Sequence, residues 1–148
     1  MSAWHLAQVN VARMRYQLED PLMAGFTDRL DEINSLAESS PGFVWRFQDE
    51  SGNATDTQLF SDPDILFNMS VWESVEALKD FTYRSDHLQL VRNRKDWFFP
   101  NQGPIMALWW VPAGHIPAPD EGLERLELIR REGPGPRAFM FSRVFDPE

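Results

Sequence analysis

The chain has 148 residues, a formal net charge of −9 and no cysteine. That length makes one domain, 1–148, able to bury a core without covalent staples. The charge repels phosphate backbones and anionic lipid, so neither nucleic acid nor a membrane is expected as a partner. Disulfides and thiolate chemistry are excluded, and no apolar run approaches membrane-spanning length. The one dense basic run, Arg92-Asn93-Arg94-Lys95, is short and followed by Asp96, which reads as a solvated helix face. A strand pattern begins at Trp4 and leaves no space for a signal peptide, so the cytoplasm is the expected location.

In chain order, Trp4 to Ala12 alternates as a strand, with His5, Ala7, Val9 and Val11 in one set and Leu6, Gln8, Asn10 and Ala12 in the other. Asp20-Pro21 signals a helix start, and Met23, Phe26, Leu30, Ile33 and Ala37 recur at helical spacing until Ser39-Ser40-Pro41-Gly42 ends it. Phe43 to Gln48 predicts a second strand, with Phe43, Trp45 and Phe47 on one face and Val44, Arg46 and Gln48 on the other. A long polar connection leads to the apolar run that begins at Ile65 and ends at Trp72. Ser74 then caps a helix whose inner face carries Val75, Leu78 and Phe81.

Tyr83 to His87 breaks that helix, and Ser85 starts another that continues to Asp96. Ile105 to Val111 is apolar on both faces, as a strand buried on both sides is. Pro119-Asp120-Glu121 opens a last helix, Gly133-Pro134-Gly135-Pro136 breaks it, and Ala138 to Val144 predicts a final short strand. The order β-α-β-β-α-β is the ferredoxin-like split βαβ, an α+β fold, here with an extra C-terminal helix and strand. Its crossovers place the first and third strands side by side. With helices on one face only, the face carrying Val9, Trp45 and Phe67 would be bare, and a second copy of the chain is the expected cover.

Candidate functional residues follow from parity. Asn68, Ser70 and Trp72 share one face of the third strand, and an amide, a hydroxyl and an indole on so apolar a strand need partners. Gln8 and Asn10 join them from the first strand and Arg46 from the second. These six either satisfy one another as a polar core network or line a pocket. Arg46 either clamps an anionic substrate or pairs with a loop carboxylate such as Asp49. His87 falls at a helix N-terminus, where the dipole favours the neutral imidazole, and is the leading acid–base candidate ahead of His5 and His115. The histidines show no metal-ligand spacing, and no phosphate loop, nucleophile elbow or dinucleotide fingerprint is present, so no metal or organic cofactor is expected.

The runs His5-Leu6-Ala7-Gln8, Ser40-Pro41-Gly42-Phe43-Val44-Trp45-Arg46, Asn68-x-Ser70-Val71-Trp72-Glu73-Ser74, Tyr83-x-Ser85-x-His87 and Leu108-Trp109-Trp110-Val111-Pro112-Ala113-Gly114-His115 resemble domain of unknown function family 3291. The closing Gly133-Pro134 with Ala138-Phe139 resembles it too. That family is similar to the dimeric α/β barrels, among them antibiotic-biosynthesis monooxygenases and haem-degrading enzymes. The resemblance implies two ferredoxin-like units joined sheet to sheet, and no single activity. Cofactor-free, quinone-forming monooxygenases of that superfamily place an Asn four residues before a Trp, which Asn68 and Trp72 match. Their associated Tyr would fall near Leu78, so that partner is missing here, with Tyr83 as a candidate stand-in. The haem-degrading members need a Trp and an iron-binding His near Phe81 and Val91, where neither residue can serve, although Asn10 resembles their first-strand Asn.

The expected function is that of a small-molecule enzyme acting on an apolar or aromatic substrate without a cofactor, by oxygenation or by proton-transfer rearrangement of the lyase or isomerase kind. Asn68 and Asn10 would hold a substrate oxygen, Trp72 pack its ring, Arg46 orient negative charge, and His87 or Tyr83 move a proton. The alternative is a non-catalytic module that binds a hydrophobic ligand or serves as a structural dimeric partner.

Overall fold

The computed structural model of the chain describes residues 3–16, 20–47, 65–83, 97–98 and 106–147. Its elements are β1 (Trp4–Arg13), a 3-10 turn (Pro21–Met23) running into α1 (Ala24–Glu38), β2 (Phe43–Arg46), β3 (Ile65–Trp72), α2 (Val75–Thr82), β4 (Met106–Pro112) and α3 (Pro119–Glu132). The strands form one antiparallel sheet in the order β2-β3-β1-β4, which is the ferredoxin-like α+β arrangement. No helix among the described residues is long and apolar enough to cross a membrane.

Local chemistry sets the element ends. Asp20 Oδ1 accepts the Leu22 backbone N–H at 2.8 Å, so Asp20 caps the 3-10 turn with Pro21 at its first position. Ser40 donates its hydroxyl to Leu36 O at 2.7 Å as α1 ends. Gly42 follows at φ +84°, and a Cβ there would lie 2.5 Å from the Ala77 Cβ of α2. Its carbonyl accepts the Glu73 N–H at 2.7 Å, so glycine serves both the left-handed turn and the close approach of α2. Ser74 Oγ accepts the Ala77 N–H at 3.1 Å and starts α2 where the strand stops.

One sheet face packs against α1 and α2. Leu6, Trp72 and Leu108 from the strands meet Ile33 and Ala37 of α1, and Leu78 and Phe81 of α2. A third cluster, Met14, Met23, Trp97 and Phe98 with Phe26, closes the far end of β1. There Arg15 donates its backbone N–H to Trp97 O at 2.7 Å.

The opposite face corrects two expectations. It is not bare, because α3 lies across it and brings Leu126 and Ile129 onto Ala7, Val9, Met69, Val71, Ala107 and Trp109. Val9, Met69 and Val71 are fully buried within a single chain, so a second copy has no open sheet centre left to cover. The helix sits close because Gly122 has no side chain: a Cβ there would lie 2.9 Å from Met69 Sδ and 3.2 Å from Val9 Cγ2. The second correction concerns Phe43. A register shift between Phe43 and Trp45 places Phe43 with the cluster under α1 and α2, while Val44, Trp45 and Phe47 pack toward α3. An extra residue in one strand breaks the alternation of sides, which simple parity cannot anticipate.

The expected final strand over 138–144 shrinks to a bridge. Phe139 exchanges two backbone hydrogen bonds with Leu108, both 2.8 Å, while Ala138 and Met140 pair with Gly135 and Arg143 in local turns. Even so the segment alternates like a strand: Ala138 and Met140 join the cluster under α3, and Phe139 the cluster under α1 and α2.

The Gly122 contact is directly testable. Gly122→Val should wedge α3 off the sheet and cost about 1–3 kcal/mol by overpacking, against a few tenths gained in helix propensity. A urea midpoint unchanged from wild type would show that the helix does not approach so closely.

Candidate functional site

β1 and β3 pair so that Gln8 lies opposite Ser70 and Asn10 opposite Asn68. All four side chains rise on the face covered by α1 and α2, between the cluster around Leu6 and Trp72 and the cluster around Met14 and Met23. They form a connected ladder. Trp72 donates its indole N–H to Ser70 Oγ at 2.9 Å, and Gln8 Nε2 donates to the same oxygen at 2.8 Å. Gln8 Nε2 also donates to Asn68 Oδ1 at 2.7 Å. Asn10 Nδ2 donates to Gln8 Oε1 at 2.9 Å and, more weakly, to Asn68 Oδ1 at 3.3 Å.

The ladder runs from the core to the surface. Trp72, Ser70 and Gln8 are buried, Asn10 is half-buried, and Asn68 is exposed. At the inner end the Trp72 ring stacks on Phe81 (centroids 5.2 Å, 25°) and meets the edge of Phe43 (5.4 Å, 87°). Trp72 is thus packed among core rings, and its reach toward the site is through Ser70. At the outer end Asn68 accepts two hydrogen bonds on Oδ1, while its Nδ2 makes none among the described residues. An amide fixed from within, with an unspent polar group at the surface, is suited to hold a ligand oxygen.

The other candidates stand at varying distances from this ladder. Arg46 lies opposite Ser70 in the β2–β3 pairing, with its Nε 3.7 Å from Glu38 Oε2 of α1. Among the described residues its carboxylate neighbour is thus a helix residue. Tyr83 is the exposed C-cap of α2, and no hydrogen bond ties its hydroxyl to the ladder. His87, Val91 and Asp49 lie outside the described residues. Among the described residues no group of three His, Asp or Glu side chains could hold a metal ion.

A second polar cluster sits on the opposite face, where β4 runs into α3. The buried Trp109 donates its indole N–H to Glu121 Oε2 at 2.8 Å, and Glu121 Oε1 lies 2.9 Å from His115 Nε2. Glu121 is in the first turn of α3, where a carboxylate is favoured, and it pins that turn to the sheet. Strand-end position alone ranked His115 behind His87. The pairing with a glutamate six residues on needed the Pro112–Ala118 bend to become visible.

Comparison with known proteins places the chain. Residues 5–148 match the family described as "Domain of unknown function (DUF3291)". The chain belongs to that family. No curated protein matches it in sequence. Among solved structures the DUF3291 chain is similar to the NE2512 protein of unknown function from Nitrosomonas europaea, at 14% identity and a TM-score of 0.50, covering 79% of this chain and 96% of that one. It is also similar to a Nitrosomonas europaea protein assigned by inference to the antibiotic biosynthesis monooxygenases, at 9% identity and a TM-score of 0.50, covering 80% and 97%. SnoaB, a cofactor-independent oxygenase from Streptomyces nogalater, is matched at 12% identity and a TM-score of 0.49, covering 76% and 95%. At such identities the two Nitrosomonas europaea structures speak for the ferredoxin-like fold alone. Each neighbour is spanned almost whole, and about a fifth of the DUF3291 chain extends beyond the match.

The ladder makes a stability contrast between its ends. Gln8→Ala should cost about 1–3 kcal/mol, because it orphans polar groups that water cannot reach. Asn68→Ala should cost under about 1 kcal/mol, since solvent can replace its bonds at an exposed position. Paired urea titrations decide this, and equal losses at the two sites would mean that Asn68 is as much a core residue as Gln8.

Proposed function

We propose that this DUF3291 protein is a cytoplasmic small-molecule enzyme that acts on an apolar or aromatic substrate by cofactor-independent oxygenation or by proton-transfer rearrangement. The observation that carries the reading is the exposed Asn68 amide, anchored from within by Gln8 and Asn10 and unspent on its outer side. Asn68, with Asn10 beside it, holds a substrate oxygen as negative charge develops there. Without a cofactor, dioxygen can be reduced only by the substrate, so the first step is removal of a proton to give an electron-rich anion. His87 or Tyr83 takes that proton, and Arg46 orients the charge. Trp72 contributes by holding Ser70, and through it Gln8, in place.

The fold neighbour assigned by inference to the antibiotic biosynthesis monooxygenases supports the oxygenase branch only as far as the fold does. A second reading, non-catalytic binding of a hydrophobic ligand, is favoured by one feature: every hydrogen-bonded member of the ladder is a neutral group. We further propose that the protein works as a homodimer through the margin of β2. There Val44, Trp45 and Phe47 are apolar and, although packed against the cluster under α3, only partly buried.

Two measurements test these proposals. Asn68→Ala should weaken binding of aromatic acids and polyphenols, followed by Trp fluorescence, at least about tenfold, or roughly 1.4 kcal/mol. Affinities unchanged across the panel would remove Asn68 from the site. Trp45→Asp should shift sedimentation at micromolar concentration toward monomer by placing a charge in the contact. A wild-type chain that sediments only as monomer would dispose of the dimer.

A further inference from the structure

The hydrogen bonds of the ladder can run in either of two senses. As described, Gln8 Nε2 donates to Ser70 Oγ and Asn68 Oδ1, and Asn10 Nδ2 donates to Gln8 Oε1 and Asn68 Oδ1. Now let each of the three amides turn over by half a rotation about its last side-chain bond. Oxygen and nitrogen exchange places with almost no change of shape. Ser70 Oγ–H then donates to Gln8 Oε1, Asn68 Nδ2 donates to Gln8 Oε1 and Asn10 Oδ1, and Gln8 Nε2 donates to Asn10 Oδ1. The Trp72 indole still donates to Ser70 Oγ, because a hydroxyl can accept one bond while giving another.

No contact is lost in the reversal. In the described sense the buried Ser70 oxygen accepts two bonds, and its own proton has no acceptor among the described residues. In the reversed sense that proton is spent on Gln8. The outward face changes character. Asn68 offers N–H in one sense and C=O in the other, while Asn10 changes the opposite way.

We propose that Gln8 is the specificity-setting pivot of the site: by turning over with Asn10 and Asn68, it lets the same exposed position receive either a hydrogen-bond acceptor or a hydrogen-bond donor on the ligand. This rests on the reading of Asn68 as a ligand-binding residue and adds the ligand class, a compact aromatic ring system whose polar group is of either polarity. A single fixed asparagine would discriminate between a carbonyl and an N–H or O–H group at that point. A coupled ladder binds either without leaving a buried polar group unpaired. Only the reversible polarity of Gln8 makes this possible. It is buried, so its amide cannot turn over alone and take new partners from water.

The test uses two neutral, near-isosteric probes, 1-indanone (acceptor only) and indole (donor only), with isotope-labelled protein in solution. Both should shift the Asn68 side-chain amide signals. In the 1-indanone complex the Gln8 amide protons lie beside the Trp72 indole N–H, since both donate to Ser70 Oγ, and a nuclear Overhauser cross-peak should join them. In the indole complex that cross-peak should vanish as the Gln8 amide nitrogen turns toward Asn10. The same cross-peak in both complexes would overturn the proposal. Failure of either probe to shift Asn68 at all would instead sink the underlying site reading, and the pivot with it. Gln8→Glu provides the second arm: a carboxylate can only accept, so it takes the Ser70 O–H and the Asn68 N–H as in the reversed sense and turns the Asn68 C=O outward, while Asn10 goes on donating to its other oxygen. The ratio of indole to 1-indanone affinity should rise at least tenfold in that variant if its circular dichroism is native. An unchanged ratio in the folded variant would also count against the pivot.

Discussion

The antiparallel register of β1 on β3 is the constraint on which the remaining structure depends. Setting Gln8 opposite Ser70 and Asn10 opposite Asn68 settles which side chains meet on both faces at once. On one face it gathers the polar ladder, and on the other it aligns Val9 with Met69 and Ala7 with Val71 as the floor beneath α3. A slip by one residue would turn both sets over, burying the amides against the apolar side of α3 and setting the valines toward α1 and α2. The polar groups therefore help specify the fold, because any other register leaves them unpaired in a low-dielectric interior.

The ladder also shows how a stable core and an adaptable surface can share one network. Its inner end is rigid: the Trp72 indole is stacked, edge-packed and bonded to Ser70. Its outer end is an asparagine at the surface. Between them Gln8 bonds to the serine and to both asparagines, so a disturbance felt at Asn68 is passed inward through hydrogen bonds of ordinary length. The three amides and the serine hydroxyl can change polarity, and none needs to change position.

Much of this arrangement was legible in the sequence, for a physical reason. A period of two assigns faces without further knowledge, so Gln8, Asn10, Asn68, Ser70 and Trp72 could be grouped from their numbers and the strand order alone. The same rule failed at Phe43, where the register shift moved one residue to the other side. It was silent on α3, since an appended amphipathic helix carries no mark of which face it will cover. The split βαβ pattern leaves that sheet face uncovered, and nothing in the sequence marks Gly122, whose absent side chain lets α3 settle there. Whether the polar groups were spent on one another depended on distances, and periodicity carries none.

The alternation of Ala138, Phe139 and Met140 between the two clusters means that the C-terminal segment packs on both sides of the sheet beside β4. During synthesis the strands through β4 are complete before that segment exists. Until residues 119–140 have left the ribosome, Val9, Met69 and Val71 lack the cover of α3, and the free edge of β4 has no partner in that segment. A nascent chain in that state carries a bare apolar sheet face and an unpaired strand edge until its last segment docks, the two features that favour misassembly.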